Sequence, residues 1–431
     1  MRLLETLAER WRGVDRPFLI HENKSLVFSD LLNADLQSFD EVRQGEVVAL
    51  IGDFEPRSIA TLLHLIDRQA ILVPLTTDTR GQHPDFFAAA HVDVVIEGPS
   101  IRRIASVSSH PLIEQLRTRQ HAGLILFSSG TTGQPKAILH DLTLFLKRFE
   151  TPRPTLRTLN FLLFDHIGGL NTLLHTLFNQ GTVIAPDARN VETVMDLCER
   201  HGVQVLPTTP TFLRMMLMSG LVPERVPSCL KIITYGTERM DQPTLDALCE
   251  ALPDIDFRQT FGMSELGIVR VKSAARNSLY MAIGGEGVET RVDQGVLKIR
   301  SQTRMLGYLN APSPFDPDGW YDTQDLVETQ NGYYKVTGRT RDVINVGGLK
   351  FMASEVERVA LACDGVALAK AEGRSNPITG QHVELTVEPM AGRVLDPQKL
   401  KAFLGEQLPA HMQPRRLKIS TVSVGHRFKR L

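Results

Sequence analysis

Between residues 128 and 137 the chain reads Ser128-Ser129-Gly130-Thr131-Thr132-Gly133-Gln134-Pro135-Lys136-Ala137, which gathers hydroxyls, two glycines and one lysine into one short segment. The apolar run Leu124-Ile125-Leu126-Phe127 stands directly before it. A buried strand that feeds such a loop can offer backbone N–H groups, hydroxyls and a cation to a polyphosphate. Glycine lets an anion come close to the main chain. The run is not a Walker loop, because Pro135 separates Gly133 from Lys136 where that motif needs Gly-Lys-Ser/Thr. The alternative reading of the run alone, a Ser/Thr/Gly surface turn, is the lesser one.

Five further segments carry chemistry-bearing residues in sequence order. They are Phe164-Asp165-His166-Ile167-Gly168-Gly169-Leu170, then Tyr235-Gly236-Thr237-Glu238 and Phe261-Gly262-Met263-Ser264-Glu265, and last a pair of later motifs. That pair runs from Gly319-Trp320 to Asp325 and from Gly338-Arg339 through Arg341 to Gly347-Gly348-Leu349-Lys350. Ser264-Glu265 alone has the form of a helix cap with an exposed acid. Asp325 alone is an ordinary turn carboxylate, and His166 alone a core histidine.

The elements that must position these residues alternate. Val47–Ile51, Ala70–Leu75, Val92–Ile96, Thr182–Ala185, Val203–Leu206 and Leu230–Thr234 read as strands, with helix-length segments such as Ile59–Ile66 between them. Continuous Val/Ile/Leu runs suit strands covered on both faces, so the chain predicts α/β layers with mostly parallel sheets. From about Gly284 to Tyr334 short strands and Gly, Pro, Asp and Asn turns predict a small β-rich subdomain. Beyond Arg341, helix (Ser354 to Cys363) and strand (His382 to Val387) predict a small α+β domain. The domain reading is therefore 1–340 and 341–431.

At 431 residues the chain exceeds one ordinary core. A formal net charge of -1 supplies no field to attract nucleic acid or an anionic membrane. The four cysteines form no CxxC pair, which suggests neither a zinc site nor a disulfide framework and fits a reducing compartment. The N-terminal segment through Trp11 spaces its leucines as an amphipathic helix and lacks the apolar core of a signal peptide. No stretch approaches the roughly 18 apolar residues of a membrane span. The expectation is a cytoplasmic protein.

Taken in order, the six segments resemble the adenylate-forming superfamily of acyl- and aryl-CoA synthetases, peptide-synthetase adenylation domains and luciferases, most closely the acyl-CoA synthetase branch. The resemblance spans nearly the whole chain. It implies ATP-dependent conversion of a carboxylic acid to an acyl-adenylate with release of pyrophosphate. Transfer of the acyl group to a thiol follows, either CoA or the phosphopantetheine arm of a carrier protein. By resemblance, Ser128, Ser129, Gly130, Thr131, Thr132, Gly133 and Lys136 hold the β- and γ-phosphates, and Glu265 with Thr131 holds Mg²⁺. Gly236 and Thr237 lie along adenine, with Phe261, Gly262 and Ser264 nearby. Asp325 accepts the ribose hydroxyls, Arg339 assists at ribose or phosphate, and His166 stands near the acyl pocket and thiol tunnel.

The resemblance also implies a small domain that reorients about Arg341 or Asp342, with Gly347 and Gly348 on the thiol side. The adenylation lysine is Lys429 on one alignment; on another, His426 takes its place. Gln324 stands where the family has glycine, and the stretch before the first motif is short, so a trimmed N-terminal subdomain is expected. Leu162, Leu163, Phe164, Ile167 and Leu170 suggest a fatty or other apolar acid. Alternatives are an amino-acid-activating enzyme that uses Asp165, a non-catalytic nucleotide-binding homologue, and an adenylating oxidase.

Overall fold

The computed structural model describes residues 2–32, 41–104, 109–128, 135–390 and 392–422. One seven-stranded sheet orders Gly307–Tyr308, Lys136–Asp141, Gly123–Ser128, Ile71–Leu75, Val47–Ile51, Val94–Glu97 and Ser100–Arg103. Its centre is parallel, with Val47 opposite Ile71 and Ile71 opposite Gly123. Every residue of Val47–Ile51 is buried, as an unbroken apolar strand between helical layers must be. Parallel neighbours need a crossover, and the helix Pro56–Asp67 supplies it between Val47–Ile51 and Ile71–Leu75.

A second sheet runs Asp256–Gln259, Ile232–Tyr235, Val205–Thr208, Arg157–Leu159, Thr182–Ile184, Leu19–His21 and Lys24–Leu26, parallel up to its last pair. The helices that cross over it start on cap residues. Thr209 Oγ1 accepts from Phe212 N at 3.1 Å and Asp241 Oδ1 from Thr244 N at 2.9 Å, each just ahead of a first-turn proline. His166 caps Ile167–Phe178 in the same way, its Nδ1 accepting from Gly168 N at 3.0 Å.

The third sheet is antiparallel and runs from Phe261–Met263 to Tyr333–Arg339. The β-rich region therefore begins well before Gly284. Its first hairpin pairs Phe261–Met263, whose residue types signal chemistry more than strand, with Gly267–Ser273. Alternating burial along Val296–Ser301 shows one packed and one solvated face. The last sheet, Leu349–Met352, Val343–Val346, Gly380–Pro389, Val366–Asn376 and Arg416–Ile419, has its own core. Val356, Val359, Leu385, Val387, Leu400 and Leu404 fill that core. Each such side chain adds roughly 1.5–3 kcal/mol when fully buried. The architecture is thus a large α/β N-terminal part and a small α+β C-terminal part. Among the described residues no helix is long and apolar enough to cross a membrane.

Candidate active site

A cavity of about 530 Å³ lies along one face of Val205–Thr208 and Ile232–Tyr235, from Val205 and Ile232 at their starts to Thr208, Thr237 and Thr260 past their carboxyl ends. Parallel α/β sheets place ligands at the carboxyl edge. The helix Ile167–Phe178 and the first hairpin of the antiparallel sheet close its sides.

Ser128 and Lys136 line the cavity and face each other across an antiparallel pair, Ser128 ending one strand and Lys136 beginning the next. The five residues expected to follow Ser128, namely Ser129, Gly130, Thr131, Thr132 and Gly133, lie outside the described residues. Asn310 holds the near side of this loop: its Oδ1 accepts from Ala137 N and its Nδ2 donates to Pro135 O, both at 2.9 Å. The backbone of Lys136 is thereby fixed on both sides, and its Nζ stands 4.9 Å from the centre of the Tyr308 ring.

Glu265 is not an exposed helix cap. It is 9% exposed and sits in the turn between the strands Phe261–Met263 and Gly267–Ser273. Tyr308 Oη donates to its Oε1 at 2.8 Å. Burial and the neighbouring carboxylate drive the Tyr308 phenol well up from its ordinary pKa, so the hydroxyl keeps the proton it donates. Tyr321 is raised for the same reasons. From below, buried His140 donates Nε2–H to Ser264 O at 2.5 Å.

Phe261, Gly262, Ser264, Thr237 and Arg339 line the same cavity. Gly236 packs on Thr260, where an added Cβ would lie 2.1 Å from Oγ1 and 2.8 Å from the carbonyl oxygen, so only glycine fits. Asp325 is 5% exposed and accepts from Arg339 Nε at 3.1 Å, directly across two strands. Burial raises its carboxyl pKa, and the guanidinium opposes that rise. Gln324, in the family's glycine position, has φ +59, which explains the glycine preference.

His166 and Arg341 also line the cavity. Gly347 and Gly348 turn the hairpin between Val343–Val346 and Leu349–Met352 at φ +61 and +90 and are not on the cavity wall. Lys429 and His426 lie outside the described residues. Of the five apolar residues near His166, Leu162 and Ile167 face the cavity, while Leu163, Phe164 and Leu170 are buried off its wall. Asp165 is buried and is also not on the cavity wall. Tyr308, His140 and Asn310 were missed by sequence reading. Gly307-Tyr308 is too short a strand to signal itself, and the other two are ordinary residues until the strands pair.

Fold and site together define a layered α/β protein with an appended small domain and one cavity lined by Lys136, His166, Glu265 and Arg339. The chain belongs to the family described as AMP-binding enzyme, which matches residues 29–308. It is 29% identical over 324 residues to the fatty acid–acyl-carrier-protein ligase ScoC of Streptomyces coeruleorubidus, covering 68% of this chain and 62% of that protein. It is 26% identical over 359 residues to the sulfoacetate–CoA ligase of Cupriavidus necator, covering 76% and 70%. The chain spans 51%, 62% and 65% of the length of three curated relatives it matches. The anthranilate CoA ligase AuaEII, solved with anthranoyl-AMP, superposes with a TM-score of 0.80 at 19% identity, covering 100% of this chain and 95% of that one.

Proposed function

We propose that the protein activates a carboxylic acid with ATP and passes the acyl group to a thiol. The carrying observation is that Lys136, Glu265, Arg339 and His166 line one cavity. In the first half-reaction a carboxylate oxygen attacks the α-phosphorus of ATP. The P–O bond to the β-phosphate breaks and pyrophosphate leaves with its electron pair. Both reactants are anionic, so the site must neutralise charge and hold them in line.

Lys136, seated by Asn310, is the cation for the outer phosphates, together with the hydroxyls of Ser128, Ser129, Thr131 and Thr132. Among the described residues no group of three or more His, Cys, Asp or Glu could hold a metal alone. A single buried carboxylate, Glu265, fits a hard cation that takes its remaining oxygens from phosphates and water, as Mg²⁺ does. When bound, that ion would spread the charge of the phosphates. Asp325, oriented by Arg339, accepts the ribose hydroxyls, and Gly236 and Thr237 flank the base.

In the second half-reaction a thiol of CoA or of carrier-protein phosphopantetheine displaces AMP from the acyl carbon. The 3-10 turn Thr340–Asp342 joins the two parts. It is the hinge of this reading, with 1–340 as the adenylating domain, 341–431 as the reorienting one, and Gly347-Gly348 brought to the thiol path. The relatives' names include both carrier-protein and CoA ligases, which supports either acceptor. A cytoplasmic setting would supply both. A pyrophosphate-release screen across carboxylic acids, with and without CoA, tests the reading; no release with any acid would overturn it.

A further inference from the structure

Arg214 is the single charged residue of the helix Pro210–Met218, whose Phe212, Leu213 and Met216 pack into the core of the large part. Its side chain is only 13% exposed. On the large part, Nη1 donates to Thr244 Oγ1 and lies 3.7 Å from Asp241 Oδ1. Thr244 Oγ1 in turn donates to Asp241 Oδ2 at 2.9 Å, so the cap of the helix Gln242–Ala251 anchors the guanidinium. Nε donates across to the carbonyl oxygen of Ala367, which belongs to the small part.

The acceptor sits at an irregularity. The strand Val366–Asn376 pairs with Gly380–Pro389 through Val366 with Pro389 and Leu368 with Glu388, and the register shifts between those pairs. Ala367 is the extra residue of that bulge. A bulge disrupts the ladder locally and re-aims the groups of its extra residue. Ala367 is fully buried, and the helix Pro210–Met218 packs on its strand. A buried carbonyl needs a donor, and Arg214 supplies one from the other part of the chain.

This strap can open without leaving a stranded charge. If the small part swings away, Asp241 and Thr244 stay with Arg214, so release costs one hydrogen bond and no ion pair. Another contact between the two parts, Ser354 Oγ to Thr337 O at 3.1 Å, stands beside the turn Thr340–Asp342, where rotation about that turn moves it little. The arrangement held by Arg214 is not the thiol-side one, because Gly347 and Gly348 are off the cavity wall. We propose that Arg214 is a positioning residue: through Ala367 it holds the small part in the adenylating orientation and must let go before the thiol step. The inference rests on the two-orientation reading above.

Spin labels at Glu192→Cys and Glu406→Cys, both exposed positions, report the separation of the two parts in the full chain without any substrate. Cys229, Cys249 and Cys363 are replaced by serine, and buried Cys198 is kept. Pulsed electron resonance should give one dominant distance in this parent. Arg214→Gln should shift the ratio of orientations by about tenfold, the worth of one hydrogen bond from a charged donor. Arg214→Lys keeps a cation and a donor and should restore most of the parent distribution. A distribution that Arg214→Gln leaves unchanged overturns the inference.

The two half-reactions give a second readout, with the acid picked out by the pyrophosphate screen. Arg214→Gln should slow pyrophosphate release about tenfold and leave thioester formation from a supplied acyl-adenylate unchanged or faster. A merely structural fault would lower both together, and that result also overturns the inference. If the parent enzyme releases pyrophosphate with no acid, the acid-activating reading falls, and the distance measurement still decides whether Arg214 holds the small part.

Discussion

Tyr308 Oη donates to Glu265 Oε1 at 2.8 Å across 43 residues of sequence, both side chains being nearly inaccessible to water. The same phenol ring lies under Lys136 Nζ. One tyrosine therefore touches both the cation and the carboxylate proposed to handle the phosphates. A hydrogen bond to a charged acceptor contributes about 1.5–3 kcal/mol. Tyr308→Phe should raise the KM for Mg·ATP in pyrophosphate release by about tenfold. A KM unchanged from the parent enzyme would detach Tyr308 from nucleotide binding.

Gln324 is a left-handed residue without the freedom of glycine. Its side chain lines the cavity, yet the turn needs only its backbone, whose N–H donates to Asp322 Oδ1 at 2.8 Å. Gln324→Gly should stabilise the fold by about 1 kcal/mol or leave it neutral, because relief of strain opposes the greater entropy of the unfolded chain. Urea midpoints compare the two proteins. A clear loss of stability would mean that the amide packs in a way the turn geometry does not reveal.

His140 is 2% exposed, and burial lowers its pKa from the ordinary 6.5 to about 4. Between those values the unfolded chain takes up a proton that the folded one refuses. Stability conferred by the neutral imidazole is full above pH 6.5 and falls as pH drops toward 4. His140→Gln keeps a donor for Ser264 O. It should flatten the stability profile in that window by up to ~1.4 kcal/mol per pH unit, the worth of one proton. Unfolding free energies across the acid range measure it, and an unchanged slope counts against burial as the cause.

Lys429→Ala should abolish acyl-adenylate formation and leave thiol capture of a supplied acyl-adenylate largely intact. Normal pyrophosphate exchange by that variant would move attention to His426, whose imidazole is mostly neutral at neutral pH and a poorer clamp between carboxylate and phosphate.

Gly347→Leu should spare adenylation and block thioester formation. At φ +61 the substitution also strains the hairpin, so pyrophosphate release serves as the check that the rest of the enzyme is sound. Equal loss in both half-reactions would speak against two working orientations of the small domain.

Read from the chain alone, Lys136, Glu265, Asp325 and Arg339 stood out, and so did the alternation of strands such as Val47–Ile51 with helices. Both are local: strand and helix periods and turn residues are written in near neighbours along the chain. Tertiary structure decided which of these groups meet. Asp325 pairs with Arg339 because strand register sets them opposite, and Tyr308 reaches Glu265 because Gly307–Tyr308 docks on Ile138 and Leu139. The cavity wall itself draws on Lys136, His166, Glu265 and Arg339 from four separate segments. No pattern of neighbours encodes such a meeting, because a one-residue shift in register would turn the paired side chains to opposite faces.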